Sequence, residues 1–330
     1  MHSKIIDRIN NKRLLITGAS GYIASNLAEF LKDTPCKIRR LSSKDRLTPI
    51  IGVATYEDIQ GDILDSSVWE TALDKVDIVF HFAAQTSIYE AEKNPITDYQ
   101  ANVLPMLQML EACKRNKRKP DILFAGTSTT VGLPTKLPVN ETFPDLPITV
   151  YDNHKLLAEL YLKYYSRMGF VRGTTLRLTN IYGPGPKSSS KDRGVINMMA
   201  KKALCGKNLT VYGEGKCIRD YIYIKDTLLA FLLALVNINQ LNEKYFFLGS
   251  GEGNSISKVI YQIAKKTNLR TGKNIAVDHI DPPHELSAIE SRNFIADSAS
   301  FTKITGWKPQ YSLSEGIDLT LDFFSSQNNK

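Results

Sequence analysis

One short stretch near the start of the chain limits the fold more than any other. An apolar strand pattern, RLLITGAS, runs directly into a helical pattern, GYIASNLAEFL, and Gly18, Gly21 and Ala24 have the GxxGxxG spacing. The first two glycines let the backbone approach a pyrophosphate, which then rests on the N-terminus of the helix that begins near Tyr22. A strand before this turn and a helix after it predict a dinucleotide site.

The same order of apolar strand, turn and helix repeats through the first half of the chain. Further strands are predicted at CKIRRLS, VDIVFHFAA, DILFAGTS and VRGTTLRLTN, and helices at DYQANVLPMLQMLEACKR and from Tyr151 onward. Strands that alternate with helices imply right-handed crossovers and a parallel, doubly wound sheet. We therefore predict an α/β protein with a Rossmann-type dinucleotide-binding domain over residues 1–183.

The alternation loosens after residue 183. YGPGPKSSSKDRG, at residues 182–194, is a Gly/Pro/Ser loop long enough to be a binding or lid segment. Later strands at RDYIYIKD, EKYFFLGS and NIAVDHI, with short helices between them, predict a smaller mixed substrate-binding lobe over residues 184–330. Some of its elements are expected to return to the main sheet.

The basic charge balance raises the question of nucleic acid or membrane binding. The net charge is +8, but KRNKRK at residues 114–119 ends a helical pattern, where cations are favourable and solvated. No zinc-finger or aromatic RNA-binding pattern accompanies the charge, and the longest apolar run, LLAFLLALV, is too short to span a bilayer. We expect neither a nucleic-acid nor a membrane partner.

The cysteines and the N-terminal residues indicate the cellular compartment of the protein. The four cysteines show no CxxC or paired spacing, which is typical of reduced thiols, and the N-terminus has no apolar signal core. A cytoplasmic location is expected. No spacing of His, Asp or Glu indicates a metal site.

The end of the second predicted strand bears on cofactor choice. NAD-selective sites usually have Asp or Glu there to hold the ribose hydroxyls, whereas this chain has Ser42. Arg39, Arg40, Lys44 and Arg46 crowd the same turn, and cations there could hold a 2′-phosphate. The cofactor is predicted to be NADP or NAD, with NADP favoured and with Ser42 and Arg40 as contacts.

A tyrosine four residues before a lysine occurs five times, but only Tyr151 and Lys155 begin a long helix, where positions i and i+4 share a face. Of the other pairs, Tyr212/Lys216 lies in a turn and Tyr221/Lys225 in a predicted strand. Tyr261/Lys265 lies in a late surface helix, and Tyr89/Lys93 directly precedes an Asn-Pro break.

Taken together, these motifs resemble the extended short-chain dehydrogenase/reductase family, and within it the NAD(P)-dependent nucleotide-sugar epimerase/dehydratase group. TGASGYIASNL is similar to the family's glycine turn, VFHFAAQTS to its fourth strand and RLTNIYGPG to its substrate-side loop. LTVYGEGKCIRDYIYIKD and TGWKPQYSLSEGI match its C-terminal half. The resemblance covers nearly the whole chain.

The resemblance implies a catalytic set of Ser128, Tyr151 and Lys155. In the family, a Tyr and a Lys at this spacing work with a Ser or Thr about two dozen residues upstream, and GTSTTVG supplies Ser128. Lys155 is expected to bind the nicotinamide ribose, and positive charge near Tyr151 favours phenolate over the usual tyrosine pKa of about 10. Ser128 is expected to hydrogen-bond the reacting oxygen.

The resemblance also implies the remaining contacts. To the cofactor it assigns Gly18, Ser20, Gly21, Tyr22, Ile23, Ala83, Ala84 and Asn102, and GDILD is predicted as an adenine-side turn with Asp62 and Ile63. To the substrate it assigns Ser128, Thr129, Asn180, Val195, Asn197, Tyr212, Arg219 and Arg292. The two arginines suit a diphosphate, because a guanidinium binds phosphate oxygens in pairs.

Two departures from the family pattern bear on the reaction. Val131 is followed directly by Gly132, where family members commonly read V-Y-G. The group's 4,6-dehydratases carry Asp-Glu after the catalytic Ser/Thr and its decarboxylases a Glu, whereas this chain has Thr129 and Thr130, which cannot supply that carboxylate chemistry. Of the reactions of this group, epimerisation and ketone reduction therefore remain.

Three hypotheses follow from this pattern. The first is a nucleotide-sugar epimerase acting at C4, and the second is an NADPH-dependent reductase of a 4-keto nucleotide sugar. The third, of another class, is a non-catalytic NAD(P)-binding sensor, against which the complete catalytic set counts. The helices at 97–115 and 151–168 are apolar on more than one side, and the resemblance implies a homodimer, because family members pair these helices. His154 is interpreted as a packed or solvated side chain.

Overall fold

The fold is built on parallel strands. A computed structural model of the chain describes residues 2–185, 194–282 and 285–328, so residues 186–193 of the predicted binding or lid loop lie outside the described residues. Its strands are β1 (Arg13–Thr17), β2 (Lys37–Ser42), β3 (Thr55–Gln60), β4 (Ile78–His81), β5 (Asp121–Thr127), β6 (Arg172–Leu178), β7 (Asn180–Tyr182), β8 (Leu209–Tyr212), β9 (Ile218–Tyr223), β10 (Tyr245–Leu248), β11 (Gly253–Ser255) and β12 (Val277–Ile280).

Helices cover both faces of these strands. They are α1 (His2–Ile9), α2 (Tyr22–Phe30), α3 (Ser66–Ala72), α4 (Ile88–Lys93), α5 (Pro95–Asn102), α6 (Leu104–Arg115), α7 (Val150–Arg167), α8 (Val195–Leu204), α9 (Ile224–Val236), α10 (Ile238–Leu241), α11 (Ile256–Thr271), α12 (Ala299–Thr305) and α13 (Leu313–Asn328). Two short 3₁₀ helices, Ser128–Val131 and Ala288–Ser291, complete the described elements.

The central sheet has seven strands in the order β10-β6-β5-β4-β1-β2-β3, and every neighbouring pair is parallel. The predicted Rossmann-type, doubly wound sheet is therefore confirmed. The chain leaves β1 toward β2 on one side and later returns to β4 on the other. In such sheets, ligands bind at the carboxyl ends of the strands where the order reverses.

Burial on both faces explains why the central strands are continuous apolar runs. Leu14, Leu15 and Ile16 of β1 are fully buried and contribute alternately to two hydrophobic clusters. A parallel sheet covered by helices on both faces requires this pattern. The core thus fixes the strand ends that carry the candidate site.

The second half of the chain is mixed, as predicted. β9 pairs with β7 in parallel and with β11 in antiparallel fashion, while β8 and β12 form a separate parallel pair. β10 joins the main sheet beside β6, and α9 packs against α1 and α2. The domain boundary at residues 183 and 184 stays a prediction.

Two predicted elements differ in detail. The helix expected from residue 97 to 115 is broken at Val103, because Pro105 has no backbone N–H to continue the hydrogen-bond ladder. The strand expected over RDYIYIKD ends at Tyr223, and α9 begins at the next residue. Among the described residues, no helix combines the length and the apolar character needed to cross a bilayer.

Candidate active site

The predicted catalytic and cofactor residues gather at the carboxyl edge of the central sheet. The glycine turn follows β1, residues 82–85 follow β4, and Ser128 follows β5. These three strands are neighbours in the sheet, so their ends form one continuous stretch of this edge. It lies at the reversal point between β1 and β4 described above.

The glycine turn leaves a helix N-terminus open. Gly18 has φ +65°, and a Cβ there would lie 2.8 Å from the Cα of Ala83, so only glycine fits against the end of β4. Gly21 is the N-cap of α2, with no side-chain hydrogen bond to the first turn. The N–H groups of that turn can therefore donate hydrogen bonds to an anionic group such as a pyrophosphate. Ser20 and Ile23 are half-buried beside it.

Thr17 and His81 tie β1 to β4 just below this turn. The Thr17 hydroxyl oxygen accepts from the backbone N–H of Phe82 and of Ala83, both at 3.1 Å, and lies 2.9 Å from Nδ1 of His81. Burial, and next the charge of Lys155, lower the pKa of His81 to about 3. His81 is thus a neutral structural side chain, and Ala84 follows half-buried on the same segment.

The turn at the end of β2, which is predicted to select between NAD and NADP, makes more contacts within the protein than the sequence suggested. Nε and Nη2 of Arg40 bind the two carboxylate oxygens of Asp58 at 2.6 and 2.7 Å, and Nη1 donates to the Thr48 carbonyl at 2.9 Å. A contact of Arg40 with a 2′-phosphate would require this pair to open. Ser42 is buried and accepts from the Lys44 N–H at 3.1 Å, while the Lys44 side chain is exposed.

The predicted adenine-side turn lies at the end of β3. The Asp62 side chain accepts from the Leu64 N–H at 3.0 Å, and the Ile63 carbonyl accepts from the Trp69 indole at 3.1 Å. Trp69 is fully buried in the core. The turn is therefore held by the protein itself, with Asp62 exposed above it.

Ser128, Tyr151 and Lys155 are all buried, with 1%, 6% and 4% of their surface exposed. Ser128 begins the 3₁₀ helix after β5, and Tyr151 lies in the first turn of α7, whose N-cap Thr149 accepts from the Asp152 N–H at 3.1 Å. Tyr151 packs with Ile88, Ala91 and Ile289. Contacts between α7 and the 3₁₀ helix bring the two elements together.

The ammonium group of Lys155 lies in an apolar environment, which is unusual for a cation. Its Nζ lies 4.1 Å from the centroid of the Phe124 ring on β5. Burial lowers the pKa of Lys155 to about 7, against the opposing influence of the negative charges of Asp98 and Glu159. Protonation of Lys155 is consequently sensitive to any charge placed beside it.

Asn102 has an acceptor that the protein leaves open. Its side-chain Nδ2 donates to Asp98 at 3.0 Å and to the Gln85 carbonyl at 3.1 Å. Within the described residues, its buried Oδ1 has no hydrogen-bond partner. Together with the uncapped N-terminus of α2, this atom fits a site that completes its hydrogen bonds with a bound group.

His154 is where the sequence interpretation fell short. Its Nδ1 lies 2.7 Å from Oδ2 of Asp98, a carboxylate on α5 that is buried. The interpretation as a packed or solvated side chain did not anticipate this partner. Asp98 stands four residues before Asn102, on the same helical face, which is the signal that could have pointed to a polar network there.

Among the predicted substrate residues, Arg292 lies at the carboxyl end of β5, beside Ser128. Nη2 of Arg292 lies 3.5 Å from the Ser128 Oγ, and its guanidinium stacks 5.0 Å from the centroid of Phe294. Arg219 donates to the carbonyls of Glu290, at 2.6 Å, and of Arg292. Arg219 thus holds the turn that carries Arg292.

The other predicted substrate residues have mixed positions. Asn180 donates to the Asp220 carbonyl at 3.0 Å, and the Asn197 side chain binds both backbone groups of Gly183, at 3.0 and 2.8 Å. Tyr22, the first residue of α2, donates to the same Gly183 carbonyl at 2.8 Å. The remaining two are Val195, which begins α8, and Tyr212, which ends β8 half-exposed.

Thr129 is engaged within the protein. Its hydroxyl donates to the fully buried Asp152, and its oxygen lies 2.6 Å from the Thr127 hydroxyl. The Thr130 hydroxyl donates to the Thr127 carbonyl at 3.3 Å. Both threonine hydroxyls therefore have protein acceptors in this structure.

The parallel sheet, the glycine turn and the open helix N-terminus define an α/β protein of the dinucleotide-binding class. Residues 14–249 match the NAD dependent epimerase/dehydratase family. This match covers more than half of the chain, so the chain belongs to that family. The family expected from the sequence motifs is confirmed.

Individual relatives agree along nearly the whole length. A putative UDP-glucose 4-epimerase of Methanocaldococcus jannaschii is 28% identical, over 96% of this chain and 99% of the relative. The crystal structure of UDP-glucose 4-epimerase of Thermus thermophilus in complex with NAD has a TM-score of 0.81 at 28% identity, over 95% of this chain and 99% of that one. A CDP-paratose 2-epimerase of Salmonella typhi is 27% identical, over 95% of this chain and 99% of the relative.

Proposed function

We propose that the protein is a nucleotide-sugar epimerase that acts at C4 with a bound nicotinamide cofactor. The observation that carries this proposal is the grouping of Ser128, Tyr151 and Lys155 at the carboxyl edge of the sheet, with Arg292 reaching Ser128 at 3.5 Å. Relatives of similar length named as UDP-glucose 4-epimerases support the substrate class and the carbon.

The chain's own residues account for the proton and the diphosphate. Tyr151 accepts the proton of the reacting sugar hydroxyl and later returns it, and Ser128 hydrogen-bonds the same oxygen. The Lys155 charge stabilises the Tyr151 phenolate. A nicotinamide cofactor held through its pyrophosphate by the glycine turn would supply reversible hydride transfer at the carbon that bears this hydroxyl. Arg292 binds the diphosphate, and Arg219 holds the Arg292 backbone in place.

Residues 129 and 130 favour epimerisation over elimination. Dehydration across two sugar carbons needs a carboxylate at the sugar, whereas the Thr129 hydroxyl is directed to buried Asp152 and the Thr130 hydroxyl to the Thr127 carbonyl. The second candidate is an NADPH-dependent reductase of a 4-keto nucleotide sugar. It uses the same three catalytic residues and is favoured by the cations around Ser42.

We infer that NADP is favoured through the exposed Lys44 and Arg46, since no carboxylate stands at position 42 to repel a 2′-phosphate. Arg39 binds Glu57 and Arg40 binds Asp58, so these two cations contribute little unless their pairs open. The choice between NAD and NADP therefore depends on Lys44 and Arg46, which follow Ser42, rather than on Arg39 and Arg40 within β2.

The outer face of α7 supports a homodimer. Leu160 and Tyr164 on this helix and Met168 directly after it are exposed, and the helix packs against α6. Burial of this apolar stripe by a second copy would remove it from water. Light scattering is expected to give twice the chain mass, and Leu160→Lys with Tyr164→Lys is expected to give a single chain mass. We further infer a reducing, cytoplasmic setting from the four free cysteines.

Cofactor stoichiometry distinguishes the two candidate enzymes. An epimerase regenerates its cofactor in every turnover, so it should retain a nicotinamide through purification and interconvert sugars with none added. A reductase should consume one NADPH for each ketosugar. Mass spectrometry of the denatured protein identifies the retained cofactor and any co-purifying nucleotide sugar. Absence of nucleotide-sugar binding would leave the non-catalytic sensor.

A further inference from the structure

A buried polar network stands beside Lys155 and has no part in the mechanism above. Asp98 is 1% exposed, and three groups surround its carboxylate. Oδ1 accepts from Gln85 Nε2 at 2.7 Å and from Asn102 Nδ2 at 3.0 Å, and Oδ2 is 2.7 Å from Nδ1 of His154. A carboxylate that accepts from three groups has a fixed orientation.

His154 joins the helix of Asp98 to the helix of the catalytic pair. It lies on α7 between Tyr151 and Lys155, and its ring meets that of Tyr99 edge-on, with centroids 5.6 Å apart. Because its partner is a carboxylate, Nδ1 carries the hydrogen, in the neutral imidazole as in the charged one. The hydrogen bond therefore does not require His154 to be protonated.

The charges around Lys155 leave Asp98 as the effective anion. Glu159, also on α7, binds Arg177 through both carboxylate oxygens at 3.0 and 2.7 Å, so its charge is balanced by a neighbour. His81, from β4, is neutral, since burial lowers its pKa to about 3. Of the two described carboxylates that act on Lys155, Asp98 is thus the one that is not paired with an arginine or a lysine.

We propose that His154 and Asp98 are positioning residues of the reaction: the imidazole orients the Asp98 carboxylate, whose fixed charge keeps the Lys155 side chain cationic beside Tyr151. By keeping Lys155 cationic, they also favour the Tyr151 phenolate. The catalytic consequence rests on the proposed function, but the effect on Lys155 exists without any substrate. Asn102, bound to the same carboxylate, is oriented by the same pair.

Three variants separate orientation from charge. Asp98→Asn keeps the shape and removes the charge. His154→Ala removes the donor, whereas His154→Asn offers an amide N–H near the position of Nδ1 and serves as the conservative variant. If His154→Ala does not fold, His154→Leu replaces it, because leucine keeps volume against Tyr99.

The direct test follows the ¹³Cε resonance of Lys155 with pH by NMR, assigned with Lys155→Arg, on the purified protein and without substrate. Wild type is expected to titrate near pH 7. Asp98→Asn and His154→Ala are expected to titrate about 1 pH unit lower, the size of effect of a nearby opposite charge, and His154→Asn close to wild type. The same titration in all four folded proteins would overturn the proposal.

The catalytic consequence is read from the pH dependence of kcat/KM with a nucleoside diphosphate-hexose. The alkaline limb is expected to move to lower pH in Asp98→Asn and His154→Ala and to recover in His154→Asn, because Lys155 must stay charged. A loss of rate without any change in the pH profile would mean a structural role only. If no nucleotide sugar is turned over, the proposed function fails while the NMR titration still decides the positioning role.

Discussion

Arg292 and Ser128 lie 3.5 Å apart, from Nη2 to Oγ, although they are separated by 164 positions in the chain. Ser128 belongs to the end of β5 and Arg292 to the turn after the 3₁₀ helix Ala288–Ser291. Their contact brings a cation of the C-terminal half to the predicted catalytic serine. A substrate with an anionic group near its reacting sugar suits this arrangement.

Removing the Arg292 guanidinium is expected to weaken nucleotide-sugar binding without affecting the cofactor. For Arg292→Ala we expect a loss of about 1.5 to 3 kcal/mol, the range for a hydrogen bond to a charged group, and Arg292→Lys should recover only part of it. Calorimetry with a free nucleoside diphosphate measures the loss. Arg167→Ala, which removes an exposed arginine, is the control. Unchanged affinity in Arg292→Ala would exclude the assigned role.

The Tyr151 hydroxyl is expected to carry the proton transfer. Tyr151→Phe removes one oxygen from a buried side chain, so the fold and the cofactor affinity should survive while turnover falls by about 10² to 10⁴. Tyr261→Phe, at a half-exposed tyrosine that also precedes a lysine by four residues, should retain full turnover. Steady-state kinetics of the two variants make the comparison, and near-normal turnover in Tyr151→Phe would refute the assignment.

Cofactor preference is expected to follow position 42. Ser42→Asp places a carboxylate that accepts from the ribose hydroxyls and repels a 2′-phosphate, so the variant should move toward NAD. Fluorescence titration with NADH and NADPH gives the ratio of affinities. Wild-type protein that already binds NADH much more tightly than NADPH would contradict the role given to Lys44 and Arg46.

Burial of Lys155 predicts a pH dependence of stability. Its folded pKa of about 7 lies below the unfolded value, so between these two pKa values the unfolded chain holds a proton that the folded chain has released. The cost of burying Lys155 is therefore greatest below pH 7 and is relieved as pH rises, by at most roughly 1.4 kcal/mol per pH unit.

The measurement is the thermal midpoint of Lys155→Met against wild type between pH 6 and pH 9.5. Any stability advantage of the variant should shrink as pH rises above 7. Lys207→Met, at an exposed lysine, should show a difference that does not change with pH. A constant difference for Lys155→Met as well would mean that Lys155 titrates normally.

Local patterns in the sequence were enough for the sheet and for the glycine turn. The apolar run of β1 and the spacing of Gly18 and Gly21 each reflect a local requirement on the backbone. The structure meets both requirements as predicted. The helix break at Val103 was also visible in principle, through Pro105, but the apolar pattern continues across it.

Pairings between distant elements could not be predicted in this way. Arg40 and Asp58 meet because β2 and β3 pair in parallel with those two positions in register, which the sequence alone does not specify. Asp98 and His154 meet because α5 packs on α7 across 56 positions. The first pair changes the role expected of Arg40, and the second changes the interpretation of His154.

Solvent isotope incorporation tests the proposed epimerisation at C4 most directly. The purified protein is incubated in D₂O, without added cofactor, with each of a panel of nucleoside diphosphate-hexoses, and the products are followed by proton NMR. Epimerisation by hydride transfer at C4 predicts a mixture of two C4 epimers from at least one hexose, with the hydrogen on C4 retained and no deuterium on carbon. No interconversion of any hexose, or a product that carries deuterium at the inverted carbon, would contradict it.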